Sequence, residues 1–228
     1  MKSIKAVLFD FDGTIADSLE VWKKLDDVFF SRRKINADHS ELKLDGMCFS
    51  EAVNYIKKYF NLNDPIEAIK SEWRSLFTEI FLQSPSLKHK VYDFIKALKK
   101  EKFIICVGTS NDSIIVIEIL QHFGLLDDMD YILTCCEVGL SKPKPKVYLD
   151  IARAININPS ECVVFEDSID GIRAGKSAGM HVVAVNDNHH NSVKEQIILE
   201  SDFYIEDYSY YEKYFGNLSN ALNSQLFS

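Results

Sequence analysis

Short apolar segments that alternate with helical patterns constrain the fold of this chain more than any other feature. Six segments are rich in β-branched and aromatic residues, at positions 4–9, 103–107, 131–133, 162–165, 182–185 and 203–205. Segments that are apolar at successive positions are typical of strands buried on both faces of a parallel sheet. Amphipathic helical patterns lie between most of them, and one such helix is predicted to bury Ile114, Ile117, Leu120 and Phe123. The alternation predicts an α/β fold with an open parallel sheet and right-handed crossovers.

The stretch from about residue 17 to residue 86 departs from this alternation, because it contains three helical patterns and no convincing strand. It is too long for one crossover between the first two strands, since such connections are normally short. An inserted bundle of helices is the simplest explanation. We therefore predict a helical cap domain at 17–86 and a core domain formed by 1–16 together with 87–228.

Composition indicates which classes of binding partner and which cellular location to expect. The chain has 228 residues, of which 46% are hydrophobic and 26% charged, and its formal net charge is −8. We expect neither nucleic acid nor a membrane as a partner, because a net-acidic chain binds both poorly and no apolar run reaches the length of a spanning helix. The first residues do not resemble a signal peptide. We expect a cytoplasmic protein whose five cysteines are reduced and mostly buried.

The segment Asp10-Phe11-Asp12-Gly13-Thr14 follows the first predicted strand directly. Ligands of open α/β sheets bind beyond the carboxyl ends of the strands, where this segment must emerge. Alternation along an extended chain places Asp10 and Asp12 on the same side, and two such carboxylates repel each other unless a cation or a proton separates them. Gly13 permits a tight turn whose backbone N–H groups can hold an anion. An Asp–Gly surface turn without a function would have the same local sequence.

Polar residues lie at three further strand ends or in the loops beyond them. They are Thr109, Ser110, Asn111, Lys142, Glu166 and Asp167. A hydroxyl after the second strand and a lysine fixed between prolines suit the oxygens of a phosphate. Acidic residues after the fourth strand supply oxygen ligands for a cation. Each group alone is compatible with a helix cap or a solvated loop, but all four motifs in this order would be a coincidence.

With these motifs in this order, the sequence resembles the haloacid dehalogenase superfamily of phosphohydrolases. The resemblance is to the subgroup with a helical cap after the first motif, which includes β-phosphoglucomutase and phosphoglycolate phosphatase. It covers essentially the whole chain. It implies a doubly wound, Rossmann-like parallel sheet with the first strand central and a cap that closes over the site. The implied activity is Mg²⁺-dependent hydrolysis of a small phosphorylated metabolite through an aspartyl-phosphate intermediate.

The resemblance also implies a role for each motif residue. Asp10 is the expected nucleophile and Asp12 the expected general acid and base. One Mg²⁺ is expected to be bound by Asp10, by the backbone carbonyl of Asp12 and by Asp167, with Glu166 beside it and Asp170 as a substitute ligand. The phosphate group is expected to contact Gly13, Thr109, Ser110, Asn111 and Lys142. Of these five residues, Thr109 and Lys142 are also expected to act in catalysis.

The predicted cap says less about the substrate. Where β-phosphoglucomutase has a cap arginine, a lysine and a histidine, this sequence has Phe49, Asp45 and Trp22. These departures disfavour a phosphosugar mutase, which stays as the alternative to a phosphatase. Trp22 and Phe49 are candidates for lining a substrate pocket, although aromatic residues at helical spacing also form cores. The two histidines at positions 189 and 190, after the fifth predicted strand, are not predicted to be metal ligands.

A third interpretation is a non-enzymatic signalling domain. Receiver domains also place acidic residues, threonine and lysine at the strand ends of an α/β sheet, where they hold a phospho-aspartate. They are shorter than this chain, take the phosphate on a later strand and lack an inserted bundle. The sequence therefore favours an enzyme.

Overall fold

A parallel sheet of six strands forms the centre of the computed structural model, which describes residues 3–37, 42, 44 and 46–209. The strands are β1 Ala6–Phe9, β2 Ile104–Thr109, β3 Tyr131–Thr134, β4 Cys162–Glu166, β5 His181–Val185 and β6 Phe203–Ile205. Their order in the sheet is β3-β2-β1-β4-β5-β6, and every pair is parallel. The predicted segments are confirmed as strands, and their ends differ from the prediction by at most two residues. β1 lies inside the sheet, as expected.

Helices connect the strands and cover both faces of the sheet. They are α1 Leu19–Arg32, α2 Phe49–Tyr59, α3 Ile66–Gln83, α4 Val91–Lys100, α5 Ser113–His122, α6 Cys135–Val138, α7 Lys146–Ala154, α8 Ile169–Ser177 and α9 Lys194–Glu200. Short 3₁₀ turns lie at Leu126–Asp128, Pro159–Glu161 and Asn188–Val193. Within the described ranges, no helix combines the length and the apolar composition of a transmembrane span.

Alternate residues of β1 belong to two separate hydrophobic layers. Phe9 packs in the layer that contains Phe94 of α4, with ring centroids 6.1 Å apart. Leu8 belongs to the layer that contains Ile151 of α7. Because side chains of a strand alternate between faces, a strand that is apolar at every position needs helices on both sides. The doubly wound, Rossmann-like α/β fold is confirmed.

The predicted buried face of α5 is wrong in part. The helix is present, but Ile114 and Ile117 are 47% and 39% exposed, whereas Ile115 and Ile119 are fully buried. Six of the seven residues from Ile114 to Leu120 are apolar, so the periodicity of this helix does not identify one face. Contacts with the sheet and with α3 determine which side is buried.

Helices α1, α2 and α3 occupy the interval in which an insertion was predicted. The two chain segments that join them to the rest of the protein pair with each other, because Ala16 and Leu87 form an antiparallel bridge. The N–H of Asp17 donates to the carbonyl of Ser86 at 3.0 Å. The predicted boundaries after residues 16 and 86 fall within this pairing. The division into a cap and a core as separate domains stays a prediction.

The three helices enclose a cluster of aromatic side chains. Phe29 and Trp73 meet edge to face at 5.7 Å, and Trp22 lies 4.5 Å from Phe77 between ring centroids. Phe81, at the end of α3, stacks with Phe77 at 6.1 Å. Aromatic side chains bury large areas, so this cluster supplies much of the stability of the helices.

Two adjacent residues of α3 test this packing. Phe81 is 1% exposed and Leu82 is 41% exposed. We expect Phe81→Ala to lower the free energy of unfolding by about 3–5 kcal/mol, because it leaves a cavity in the aromatic cluster. Leu82→Ala should change it by less than about 1 kcal/mol. Urea unfolding followed by circular dichroism measures both, and equal losses would contradict the packing described here.

Candidate active site

The site lies where the strand order of the sheet reverses. β1 pairs with β2 on one side and with β4 on the other, and this crevice is the usual ligand position of doubly wound sheets. The N–H of Asp10 donates to the carbonyl of Phe165 at 2.9 Å, which ties the chain after β1 to the end of β4. Carboxylate oxygens of Asp10, Glu166 and Asp167 lie within 4.8 Å of one another. Segments more than 150 residues apart thus converge, as the motifs predicted.

Lys142 lies between two of these carboxylates. Its Nζ donates to Asp10 Oδ1 at 2.5 Å and to Glu166 Oε1 at 2.6 Å. The lysine is only 6% exposed. Burial by itself would lower the pKa of the ammonium, but the adjacent carboxylates of Asp10 and Glu166 raise it well above its ordinary value. The charged form of Lys142 is therefore favoured beside Asp10.

Glu166 is held by donors on both of its oxygens. Oε1 also accepts from the hydroxyl of Tyr148 at 3.0 Å, and Oε2 accepts from the backbone N–H groups of Asp167 and Ser168 at 3.0 and 3.1 Å. A Cβ at residue 171 would overlap this carboxylate, so Gly171 is required. Glu166 orients Lys142 and the loop after β4. Tyr148 was missed, because the sequence pattern shows only that it lies on the buried face of a helix.

Asp12 accepts hydrogen bonds from three side chains. Ser18 Oγ and Trp22 Nε1 donate to Oδ1 at 2.6 and 3.0 Å, and Asn111 Nδ2 donates to Oδ2 at 2.8 Å. Burial raises the pKa of Asp12 above its ordinary value, although all three donors oppose that shift. Trp22 was predicted to line a pocket. Its contact with Asp12 was not predicted.

Asp167 is enclosed by groups from two loops. Thr14 Oγ1 donates to Oδ1 at 3.2 Å, and His190 Nε2 lies 3.1 Å from Oδ2. Gly13 has a φ of +74°, and a Cβ there would overlap the Asp167 carboxylate. The loop after β1 can approach Asp167 only because residue 13 is glycine. Sequence reasoning left His190 unassigned, since the sequence gives no signal of its neighbours in space.

The charge of this group calls for a cation. Burial raises the pKa of Asp10 well above its ordinary value, and the neighbouring carboxylates of Glu166 and Asp167 add to that effect while Lys142 opposes it. Burial likewise raises the pKa of Asp167. Two like charges about 4 Å apart repel by about 4 kcal/mol at an effective dielectric of 20. Buried carboxylate oxygens of this kind fit Mg²⁺, which prefers hard oxygen ligands. Asp170 lies outside the carboxylate group.

A cavity of about 730 Å³ opens over these residues. Among the predicted site residues it is lined by Asp10, Asp12, Thr109, Ser110, Lys142, Asp167 and Asp170. Thr109 is 1% exposed, and its hydroxyl accepts from the N–H of Asn111 at 3.0 Å. This hydrogen bond fixes the turn after β2 beside the carboxylates. Seven of the predicted residues therefore lie around one cavity, whereas Gly13, Asn111 and Glu166 are not among the residues that line it. The catalytic, metal-binding and phosphate-binding roles of all these residues stay predictions.

A second cavity of about 310 Å³ extends from Asp12 into the helical region. Its aromatic wall consists of Trp22, Phe49 and Trp73, and Asn111 lies at its edge. The Trp22 and Phe49 ring centroids are 6.3 Å apart. Both residues predicted as pocket candidates thus line a cavity while also packing against other aromatic rings. Trp73 was not among the residues predicted to line a pocket.

The family model of haloacid dehalogenase-like hydrolases matches residues 4–179. The chain belongs to this family. It is an enzyme of the phosphatase type, which excludes the signalling-domain interpretation.

Two relatives and one solved structure illustrate the similarity of this hydrolase to known members. Hexitol phosphatase B of Escherichia coli (strain K12) is 29% identical over 195 residues, which cover 81% of this chain and 84% of that protein. Beta-phosphoglucomutase of Bacillus subtilis (strain 168) is 29% identical over 198 residues, or 80% of this chain and 83% of that protein. The crystal structure of CbbY from Rhodobacter sphaeroides in complex with phosphate has a TM-score of 0.78 at 22% identity, over 95% of this chain and 98% of that one. The last likeness shows the shared fold.

Gly13 offers a test of the metal site that does not depend on turnover. We expect Gly13→Ala to weaken Mg²⁺ binding at least about 10-fold, as changes beside metal ligands commonly do, because the added methyl group displaces Asp167. Gly124→Ala is the matched control, since Gly124 also has a positive φ of +66° but no described atom lies within 4 Å of a Cβ there. Isothermal titration calorimetry with Mg²⁺ measures both variants. Unchanged affinity in Gly13→Ala would show that the ion binds elsewhere.

Proposed function

We propose that this hydrolase cleaves the phosphate monoester of a small sugar or polyol, with Mg²⁺, through a phosphorylated Asp10. Two contacts at the switch point of the sheet carry the proposal. Lys142 Nζ contacts Asp10, and carboxylate oxygens of Asp10 and Asp167 lie within 4.8 Å of each other. A carboxylate nucleophile, a fixed ammonium and a cation site are what phosphoryl transfer requires. The similarity to hexitol phosphatase B supports a carbohydrate-like substrate.

In the first step an oxygen of Asp10 attacks phosphorus, and the bond from phosphorus to the leaving oxygen breaks. Asp12 donates its proton to that oxygen, so that a neutral alcohol leaves. In the second step Asp12 accepts a proton from water, the water oxygen attacks phosphorus, and the bond to Asp10 breaks. The products are inorganic phosphate and the regenerated carboxylate. Lys142 offsets negative charge on the transferred group throughout.

The metal would be held by Asp10, Asp167 and the backbone carbonyl of Asp12, as the family motif implies. When bound, Mg²⁺ supplies the positive charge that lets a dianionic phosphate approach buried carboxylates. Residues of the chain itself contribute to proton transfer and to phosphate binding. Burial raises the pKa of Asp12, which favours the protonated form that the first step uses. Thr109, Ser110 and Lys142 line the same cavity and are placed to contact phosphate oxygens.

The cavity of about 310 Å³ is the proposed position of the leaving group. It begins at Asp12, where the leaving oxygen must receive its proton. Aromatic rings of Trp22, Phe49 and Trp73 suit the apolar face of a sugar or polyol. No lysine, arginine or histidine of the described residues lines it, so a second phosphate would find no partner there. This favours hydrolysis of a monophosphate over transfer within a bisphosphate.

A phosphosugar mutase is the second candidate, and the similarity to a beta-phosphoglucomutase supports it. A mutase would return an isomerised sugar phosphate without net release of inorganic phosphate. The two candidates are distinguished by incubating the enzyme with hexose and hexitol monophosphates and Mg²⁺, and by measuring phosphate and sugar products together. Phosphate in stoichiometric amount supports the hydrolase. An isomer without phosphate supports the mutase.

Removal of the nucleophile tests the reaction itself. We expect Asp10→Asn to lower turnover at least about 1,000-fold, as loss of a covalent nucleophile does in other enzymes. Chelation of Mg²⁺ should abolish turnover of the wild type, and added Mg²⁺ should restore it. Asp127→Asn is the control, because it makes the same change at an exposed position away from the site. This variant should keep full activity. Full phosphate release by Asp10→Asn would end the proposal.

The hydrogen bond from Trp22 to Asp12 gives a prediction about pH. The indole N–H stabilises the ionised form of Asp12, so Trp22→Phe should raise its pKa. The first step needs protonated Asp12, so the alkaline limb of the pH profile of kcat/KM should move to higher pH. A hydrogen bond to a charged group contributes about 1.5 kcal/mol, which corresponds to a shift of about one pH unit.

Trp73→Phe is the matched control for this change. Trp73 also lines the cavity, but its Nε1 is buried and has no hydrogen-bond partner among the described residues. Its replacement removes the same N–H group without altering the hydrogen bonds of Asp12. The alkaline limb should stay at the wild-type pH. A shift of equal size in both variants would exclude a specific effect of Trp22 on Asp12.

A further inference from the structure

Two cysteines outside the carboxylate group lie in direct contact across two chain segments. Cys48 immediately precedes α2, and Cys136 is the second residue of α6. Their sulfur atoms are 2.7 Å apart, although 88 residues separate them in sequence. Both are free thiols in the structure. Neither takes part in the proposed reaction.

We propose that Cys48 and Cys136 are an oxidation site at which a reversible disulfide forms and ties α2 to α6. The tie holds one wall of the substrate cavities in place and slows turnover. The effect on turnover rests on the proposed phosphatase function, whereas formation of the disulfide does not.

The geometry favours bond formation between these two sulfurs. A disulfide has an S–S length of about 2.05 Å, so the sulfurs need to approach by less than about 1 Å. Helix α2, which Cys48 precedes, and helix α6, which contains Cys136, are already in contact. The other three cysteines are buried, at Cys106, Cys135 and Cys162. Of the five thiols, only the Cys48–Cys136 pair has a recorded sulfur–sulfur contact in the described residues.

Cys136 is suited to be the attacking thiol. It is half-buried, whereas Cys48 is buried. The N–H of Ser50 in the first turn of α2 donates to Cys136 Sγ at 3.2 Å, so the thiol lies at the positive end of an eleven-residue helix. Hydrogen bonding with Cys48 and Ser50 lowers the pKa of Cys136 to about 6. Thiolates at helix N-termini are the reactive forms of cysteine.

The remaining thiols are poor competitors for an oxidant. Burial raises the pKa of Cys106 and of Cys162 to about 12. Burial also raises the pKa of Cys135, the neighbour of Cys136 in sequence. Since the thiolate is the nucleophile, oxidation is directed to Cys136.

Hydrogen peroxide is the oxidant for which the step balances. The Cys136 thiolate attacks one peroxide oxygen, the O–O bond breaks, and the hydroxide that leaves becomes water by taking a proton, which produces a sulfenic acid. The sulfur of Cys48 then attacks the sulfur of Cys136. The S–S bond forms, the S–O bond breaks, and hydroxide leaves with the proton of Cys48 as a second water. Two thiols lose two electrons in total, and one peroxide is reduced to two waters.

The position of Cys48 connects this chemistry to the site. Its sequence neighbours Met47 and Phe49 both line the cavity of about 310 Å³, and Met47 also lines the larger one. The N–H of Phe49 donates to the carbonyl of Ser110 at 2.9 Å, beside the expected phosphate-binding residues. A covalent bond at Cys48 would fix this wall relative to α6. Substrate entry and product release that require the wall to move would then be slowed.

The experiment treats the reduced full-length protein with hydrogen peroxide and follows two signals. Intact mass should fall by the two hydrogens lost in an internal disulfide, and peptide mapping should identify Cys48 joined to Cys136. Phosphate release should fall at least about 10-fold, because opening of such a wall commonly limits turnover. Dithiothreitol should restore both the mass and the activity.

Cysteine variants make the result specific. Cys136→Ser and Cys48→Ser should keep their activity in peroxide and form no internal disulfide, whereas Cys162→Ser should respond like the wild type. A native protein that retains both free thiols under peroxide would overturn the oxidation site, whether or not a substrate has been found. A mapped Cys48–Cys136 disulfide with unchanged turnover would overturn its effect on the enzyme. Loss of activity in Cys136→Ser as well would assign the inactivation to another residue.

Discussion

Several carboxylates buried beside one lysine are the constraint on which the rest of this structure depends. Asp10, Glu166 and Asp167 cannot all be ionised in a buried site without compensating positive charge, since isolated buried charges are very unfavourable. Lys142 supplies one such charge. A divalent cation at this site would supply two more, which would offset the three carboxylate charges and let a phosphate monoester approach. Adjacent placement of β1 and β4 makes this crowding unavoidable.

Surrounding residues serve this charge arrangement in separate ways. Tyr148 and two backbone N–H groups keep Glu166 pointed at Lys142, so that the ammonium stays against Asp10. Gly13 lets the first loop close on Asp167. The helical region contributes Trp22, whose indole connects the aromatic cavity to Asp12. In the proposed reaction, substrate recognition and proton transfer therefore meet at the carboxylate of Asp12.

The sequence predicted the strands, the sheet class and the convergence of the motif residues, because these depend on local pattern. β1 and β4 are apolar at successive positions, and the polar residues that follow them can only emerge at one edge of a parallel sheet. Contacts between distant side chains were not predictable. The buried face of α5 and the position of His190 beside Asp167 are decided by tertiary packing, which leaves no periodic signal in the sequence. The contact of Cys48 with Cys136 is of the same kind.

A crystal structure grown with Mg²⁺ and beryllium fluoride, a mimic of the phosphoryl group, would test the central claim most directly. We expect the beryllium atom to be bonded to a carboxylate oxygen of Asp10, with Lys142 in contact with a fluorine atom. We also expect one Mg²⁺ bound by both Asp10 and Asp167. A beryllium fluoride adduct on another residue, or an ion bound away from Asp10 and Asp167, would contradict the proposed reaction.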